Sequence, residues 1–322
     1  MSRLHLSKQS RAGILRRVTR HIPRLLCCLL PAYLLLPTVL RGQASVASDL
    51  WRVAAGTQVE PLALADGGSA PLWTPAVTLA AGVRWRVGVE AINSPSEIGV
   101  GGGLLALTAR VPKIGLVSVA YGRLSVQDVA LTETSPETIG DVPIYNQALS
   151  LGVSREVVPG VTGGIALRYL SGQLGSAARQ QMGIDFGAQI QTSEHVRLGL
   201  ATRFFDPTLR TASGAASYSL GAEYKTSAFD AWGSSAVFVM RYGLTAVRGE
   251  SAQQLFTIGL ALGTALALDG GFAVERASGD QEVRSRLAVT FGSGSFRAQI
   301  GRDGGVNDFG AAYRFGLTAA FR

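Results

Sequence analysis

The side chains in this 322-residue sequence that could do chemistry are ionic rather than nucleophilic. Arg84, Arg86, Glu90, Arg168, Asp185, Arg197, Arg203, Glu223, Arg284, Arg286 and Arg314 are mostly flanked on both sides by apolar or aromatic residues. Charges placed in this way can pair with one another, line a polar passage or meet a charged solute. Catalysis needs more than charge. Beyond residue 44 the sequence has one histidine, His195, and no cysteine, since Cys27 and Cys28 both lie in the first 44 residues. A chain trimmed there has no thiol nucleophile and no multi-histidine zinc site. His195 falls in or beside a short turn and reads as solvent-exposed rather than as a general base. The glycines of IGVGGG open no helix, so they are not a phosphate loop. No enzymatic activity, metal or cofactor is expected.

What must position those charges is visible in their neighbours. Val83, Trp85, Val87 and Val89 alternate with Arg84, Arg86, Gly88 and Glu90. Met182, Ile184, Phe186 and Ala188 alternate with Gly183, Asp185, Gly187 and Gln189, and Tyr218, Leu220, Ala222 and Tyr224 with Ser219, Gly221, Glu223 and Lys225. A period of two is the signature of strands with two different faces. Runs of this kind cover 82–92, 98–110, 114–126, 144–155, 160–172, 180–191, 195–205, 214–225, 234–247, 252–263, 265–277, 281–292, 294–303 and 309–321. Many are ten residues or longer. Strands in soluble domains are usually about five or six, whereas membrane-spanning strands need about nine to eleven.

The connections are long at 127–143, 173–179, 206–213 and 304–308, and brief at 111–113, 192–194, 264 and 293. Outer-membrane barrels pair short periplasmic turns with longer external loops in this way. The eight residues 226–233, where a short turn is due, break the alternation. Tyr169, Phe204, Phe205, Tyr224, Phe291 and Phe321 fall near strand ends, where aromatic girdles sit. The last strand turns Phe309, Tyr313, Phe315, Leu317 and Phe321 to one face and Arg314 and Thr318 to the other, and Arg322 follows the terminal aromatic. The fold class expected is all-β: a transmembrane antiparallel β-barrel of about 14 strands, its charges facing a lumen. Period alone also permits a soluble secreted β-sandwich. The run Gly101, Gly102, Gly103 marks a possible strand kink.

The amino terminus differs. Residues 1–44 hold eight bases and no acid, and removing those eight from thirty leaves 22 bases against 22 acids. The remainder is formally neutral, so a nucleic-acid partner is not expected. Basic residues, the apolar stretch Leu25 to Leu40 and the small residues Gly42, Ala44, Ser45 and Ala47 make a cleaved signal peptide, and Pro31 and Pro37 interrupt any spanning helix. This divides the chain into a signal at 1–44, a distinct segment at 45–80 and a barrel at 81–322, located in the bacterial outer membrane.

The segment carries VEPLALADGGSAPLWTPAVTLA. Ala63, Leu64, Ala65, Asp66, Ser69, Ala70, Trp73, Pro75, Ala76, Leu79 and Ala80 stand in the order of the amino-terminal motif of the FadL-like outer-membrane proteins, which this stretch resembles. Thr74 replaces that motif's usual Asn. The superfamily includes the long-chain fatty-acid transporters and the PorV/PorQ group. The resemblance implies a 14-strand barrel whose amino-terminal segment folds inward as a hatch, with Asp66, Trp73, Thr74 and Pro75 as hatch residues. It implies a channel for hydrophobic small molecules or, as the alternative, a PorV-type component that meets secreted proteins of type IX secretion. Partners expected on either reading are outer-membrane lipids, the barrel insertion machinery, and a hydrophobic ligand or secreted proteins.

Overall fold

The computed structural model describes residues 46–95, 99–126, 130–131, 140–203, 216–231, 233–247, 252–277, 280–305 and 310–322. The signal assigned to 1–44, the girdle candidates Phe204 and Phe205, and Phe309 lie outside the described residues.

Fourteen long strands follow one another around a closed antiparallel sheet. They are β1 Trp85–Asn93, β2 Val100–Val111, β3 Gly115–Val126, β4 Ile144–Val158, β5 Val161–Leu174, β6 Ala177–Gln191 and β7 Val196–Arg203. The second half comprises β8 Ser217–Lys225, β9 Ser234–Val247, β10 Gln253–Leu262, β11 Leu266–Ala277, β12 Asp280–Ser293, β13 Phe296–Asp303 and β14 Ala312–Phe321. Each pairs with its sequence neighbour. The ring shuts where β1 meets β14, in a register running from Trp85 opposite Phe321 to Asn93 opposite Tyr313. Closure leaves no sheet edge, which is what lets strands cross lipid. Among the described residues no helix is long and apolar enough to cross a membrane.

Alternation decides the two faces. On β1, Gly88, Glu90 and Ile92 are buried while Val89 is 52% exposed. On β4, Asn146, Ala148, Ser150 and Ser154 are buried while Leu149, Leu151 and Val153 are exposed. The outward face is thus the apolar one, suited to lipid, and the inward face is polar or small. Outward aromatics contact across strands, with Tyr242, Phe256 and Phe272 in a row and Trp85 stacked on Phe321 at 4.1 Å.

The structure departs from the sequence reading in two places. The 226–233 connection is not an eight-residue turn, because Phe229–Ala231 continues the hairpin by pairing with Ser234–Ala236 of β9. Gly101, Gly102 and Gly103 do not kink β2: they pair in unbroken register with Asn93, Ile92 and Ala91 on one side and Ser125, Leu124 and Arg123 on the other. A Cβ on Gly102 would come within 2.1 Å of the Arg123 carbonyl oxygen, so this glycine serves a close backbone approach rather than a bend. The register shift in the β4–β5 ladder lies at Glu156/Val158, beside the short turn.

Inside the ring runs the segment 46–80. It holds helix α1 (Val46–Gly56), a 3-10 turn at Leu62–Leu64 and a single helical turn α2 (Ala70–Trp73). Leu50, Trp51, Val53, Leu72 and Trp73 are buried and pack on Ile92, Leu104, Leu124 and Leu170 of the inner wall. Trp51 and Trp73 meet edge to face at 6.1 Å.

Candidate functional site: the filled lumen

The inner segment is tied to the wall by polar contacts on many strands. At the long-loop end Trp51 Nε1 donates to Asn146 Oδ1 at 2.7 Å. Arg314, from β14, donates Nε to Thr57 Oγ1 at 2.9 Å and Nη2 to the Ala54 carbonyl at 2.6 Å, and its Nη1 meets Glu90 Oε2 at 2.5 Å. Glu90 Oε1 accepts from the Ser69 N–H at 3.1 Å, and Ser69 Oγ accepts from Trp73 Nε1 at 2.9 Å. A wall cation, a wall acid and the segment's own backbone therefore share one network. Because these groups are buried, loss of any one partner strands a charge, which is what makes such a network specific in geometry.

A second group sits on β11 to β13. Asp303 accepts from Arg284 Nη1 at 2.8 Å and from Arg286 Nε at 3.0 Å, while Arg286 Nη1 reaches the Gln58 carbonyl at 3.1 Å. Glu275 accepts from Arg284 Nη2 at 3.2 Å and also pairs with Arg52 of α1. A third lies on β5 to β7: Arg168 pairs with Asp185 at 2.5 Å and donates Nη1 to the Leu72 carbonyl at 3.1 Å. The Arg203 guanidinium lies 5.1 Å from the Trp73 ring, and that of Arg314 lies 5.7 Å away. Trp73 is thus held by cations from two separate stretches of wall, each close enough for a cation–π contact.

The fourth group is nearer the short turns. Glu223 accepts from Arg241 Nε at 2.9 Å and Arg197 Nε at 3.1 Å, and Arg241 also pairs with Asp269 at 2.6 Å. Arg197 comes within 3.9 Å of Asp66, and Arg86 Nη1 donates to the Asp66 carbonyl at 2.5 Å. Across the 3-10 turn the Asp66 N–H donates to Glu60 Oε2 at 3.0 Å. Burial, then the nearby Asp66 carboxylate, push the Glu60 carboxyl up to about 7.

Of the residues singled out in the sequence, Arg86, Glu90, Arg168, Asp185, Arg197, Arg203, Glu223, Arg284, Arg286 and Arg314 gather in these four groups. Asp66 joins the fourth through its backbone and carboxylate, and Trp73 is fully buried. Thr74 is buried and its Oγ1 accepts from the Ala76 N–H at 3.2 Å, while Pro75 leans on the bare backbone of Gly164. Arg84 is placed elsewhere: it precedes β1 and is exposed at the short-turn rim, since the strand begins only at Trp85. Sequence reading passed over Arg241, Asp269, Glu275 and Asp303, although each has inward parity on its strand. It also missed Arg52 and Glu60, which no period-two pattern could reveal.

Below the segment, a cavity of about 620 Å³ opens at the short-turn end, lined by Val77, Leu79, Arg110, Gln189, Gln191 and Arg197 among others. Ser154 Oγ donates to the Val77 carbonyl at 2.8 Å and Gln189 Nε2 to the Ala63 carbonyl at 3.2 Å, so the cavity's roof is the segment itself.

The sequence matches no protein-family model and no curated protein. Its structure is similar to that of the TodX deltaS2S3 mutant monoaromatic hydrocarbon channel, over 79% of this chain and 94% of that one, with a TM-score of 0.50 and 11% identity. The fold the two share is a closed antiparallel β-barrel. The toluene transporter TbuX of Ralstonia pickettii aligns over 83% of this chain and 99% of its own, with a TM-score of 0.47 and 11% identity. Against CdiB from Acinetobacter baumannii the chain spans 61% of that protein's length, with a TM-score of 0.42 and 10% identity. In this barrel the wall presents both the charge groups and an apolar patch to whatever occupies the lumen.

Proposed function

We propose that the chain is an outer-membrane channel for hydrophobic small molecules, in which residues 45–80 act as a hatch. The observation that carries this reading is the apolar inner patch of Ile92, Leu104, Leu124 and Leu170, which lies in the long-loop half and is covered by Leu50, Trp51, Leu72 and Trp73. A charged solute has no use for such a patch, whereas an apolar one replaces the segment's own side chains there. The polar groups around it fix the segment in one position, and their bonds to its backbone carbonyls set how firmly it is held.

The TodX channel, which shares the fold, supplies the probe. Cells expressing the protein in an intact outer membrane should take up toluene faster than cells without it. In planar bilayers the barrel lacking 46–80 should conduct ions more freely than the full chain. Uptake equal to that of control cells, with the barrel present in the outer membrane and exported proteins captured by it instead, would overturn the channel reading.

A further inference from the structure

Each inward arginine of the four groups reaches an acid, a segment carbonyl or the Trp73 ring, and a separate set of cations without a carboxylate partner lies at the short-turn rim. Among the described residues, no carboxylate oxygen lies within ion-pair distance of Arg84, Arg110, Lys113, Arg155 or Arg322. They are neighbours. The Arg84 N–H donates to the Phe321 carbonyl at 2.8 Å, placing Arg84 beside Arg322, and the Arg110 N–H donates to the Arg84 carbonyl at 2.6 Å. Arg155 Nη1 reaches the Lys113 carbonyl at 3.5 Å. The acid of this arc, Glu156, accepts from the Gly160 N–H at 2.8 Å.

Arg155 is the informative member. It takes the next outward position after Leu149, Leu151 and Val153 and stands at the mouth of the cavity it also helps to line, its Nη1 turned to the Lys113 carbonyl. A charge there is costly at the bilayer midplane and nearly free at the interface, which fixes this end of β4 at headgroup depth. Around it the rim is apolar: Val157 is 70% exposed and Ile114, in the β2–β3 turn, 50%. Lys113 in that turn has φ +68°, and it is the one non-glycine residue with positive φ among the described residues. Glycine would adopt that conformation without strain, so a lysine there is accounted for by a use for its ammonium. An aqueous acidic partner would match the two cations and leave the aliphatic side chains uncovered. A molecule with an anionic head and apolar tails matches both.

We propose that Lys113 and Arg155 form a seat for the phosphate of an anionic phospholipid, whose acyl chains lie along Leu151, Val153 and Val157. Arg84 and Arg322 raise the concentration of such lipids along the same rim. The seat is independent of what the lumen carries.

The test uses the full barrel in nanodiscs of phosphatidylcholine with or without phosphatidylglycerol, followed by native mass spectrometry of retained lipid. The wild type should retain phosphatidylglycerol in preference to phosphatidylcholine. The double variant K113Q/R155Q should lose roughly fivefold in apparent affinity per cation removed while keeping its heat-modifiable migration. Unchanged lipid preference in that variant overturns the proposal. So does a wild type that shows no phosphatidylglycerol preference but is stabilised by inorganic phosphate, which would make this a site for free anions. Should the double variant fail to fold, R155Q against R155K decides: the lysine must restore retention and the glutamine must not.

Discussion

Seating the inner segment depends on places where the wall has no side chain, and filling them is the sharpest perturbation available. A Cβ on Gly88 would stand 2.2 Å from Gly68 Cα and 2.5 Å from the Gly68 carbonyl carbon, and one on Gly164 would stand 2.2 Å from the Pro75 carbonyl oxygen. Both clashes are with backbone, which cannot swing aside as a long side chain would. Overpacking costs about 1–3 kcal/mol per site, and clashes this close belong in the upper half of that range. Taking about 2 kcal/mol for each, Gly88→Val combined with Gly164→Val shifts the balance between seated and displaced segment by about 4 kcal/mol, roughly a thousandfold. Both positions face inward, and although Gly88 pairs with Thr318 in the β1–β14 seam, that ladder is made by backbone groups that a valine retains, so heat-modifiable migration in detergent should persist. Single-channel recording should find the double variant open in a far larger fraction of the record than the wild type. Gly103→Val is the control, since a Cβ there meets only the Glu90 carbonyl oxygen at 3.5 Å. A double variant that is folded and as closed as the wild type would show that the seat is not what seals the lumen.

Asp185→Asn leaves Arg168 buried without its carboxylate and should cost about 3–5 kcal/mol, read as a lower midpoint of thermal unfolding in detergent; an unchanged midpoint contradicts the pairing. Trp73→Ala removes a fully buried indole and two cation–π contacts, and should loosen the segment by about 3–5 kcal/mol, seen as faster proteolysis within 46–80 of a barrel that remains resistant. The raised Glu60 carboxyl makes the seated segment hold a proton that a released one, at the ordinary 4.5, gives up. Seating is therefore firmest below about pH 4.5 and weakens as pH rises through about 7, so conductance should climb across that window and be flat in Glu60→Gln. A fall in wild-type conductance over the same window contradicts that sign.

The strands were legible because lipid on one side and a polar lumen on the other force a period of two that no turn or helix mimics. The run 234–247 coincides with β9, and 144–155 falls short of β4 only at its short-turn end. Gly101 to Gly103 misled because sequence cannot say whether a glycine permits bending or closeness. The break at 226–233 misled because three residues, Phe229–Ala231, are too few to show a period. The inner segment was legible only through a motif resemblance. Its helix α1 is short, and its partners lie on strands up to 260 positions away, as Arg314 is from Ala54. Such pairings are made by the ring and have no local signature.

The ring is completed by joining its first strand to its last, and the segment leading into β1 already occupies the middle. That buried stretch bonds to β1, β4, β5, β6, β12 and β14, so its ties are spread around the whole ring. Leaving the lumen therefore means breaking bonds on six strands of the wall, while the β1–β14 seam, with Trp85 stacked on Phe321, stays shut. Plug and wall are thus held by two separate sets of bonds, and the first can let go without opening the second.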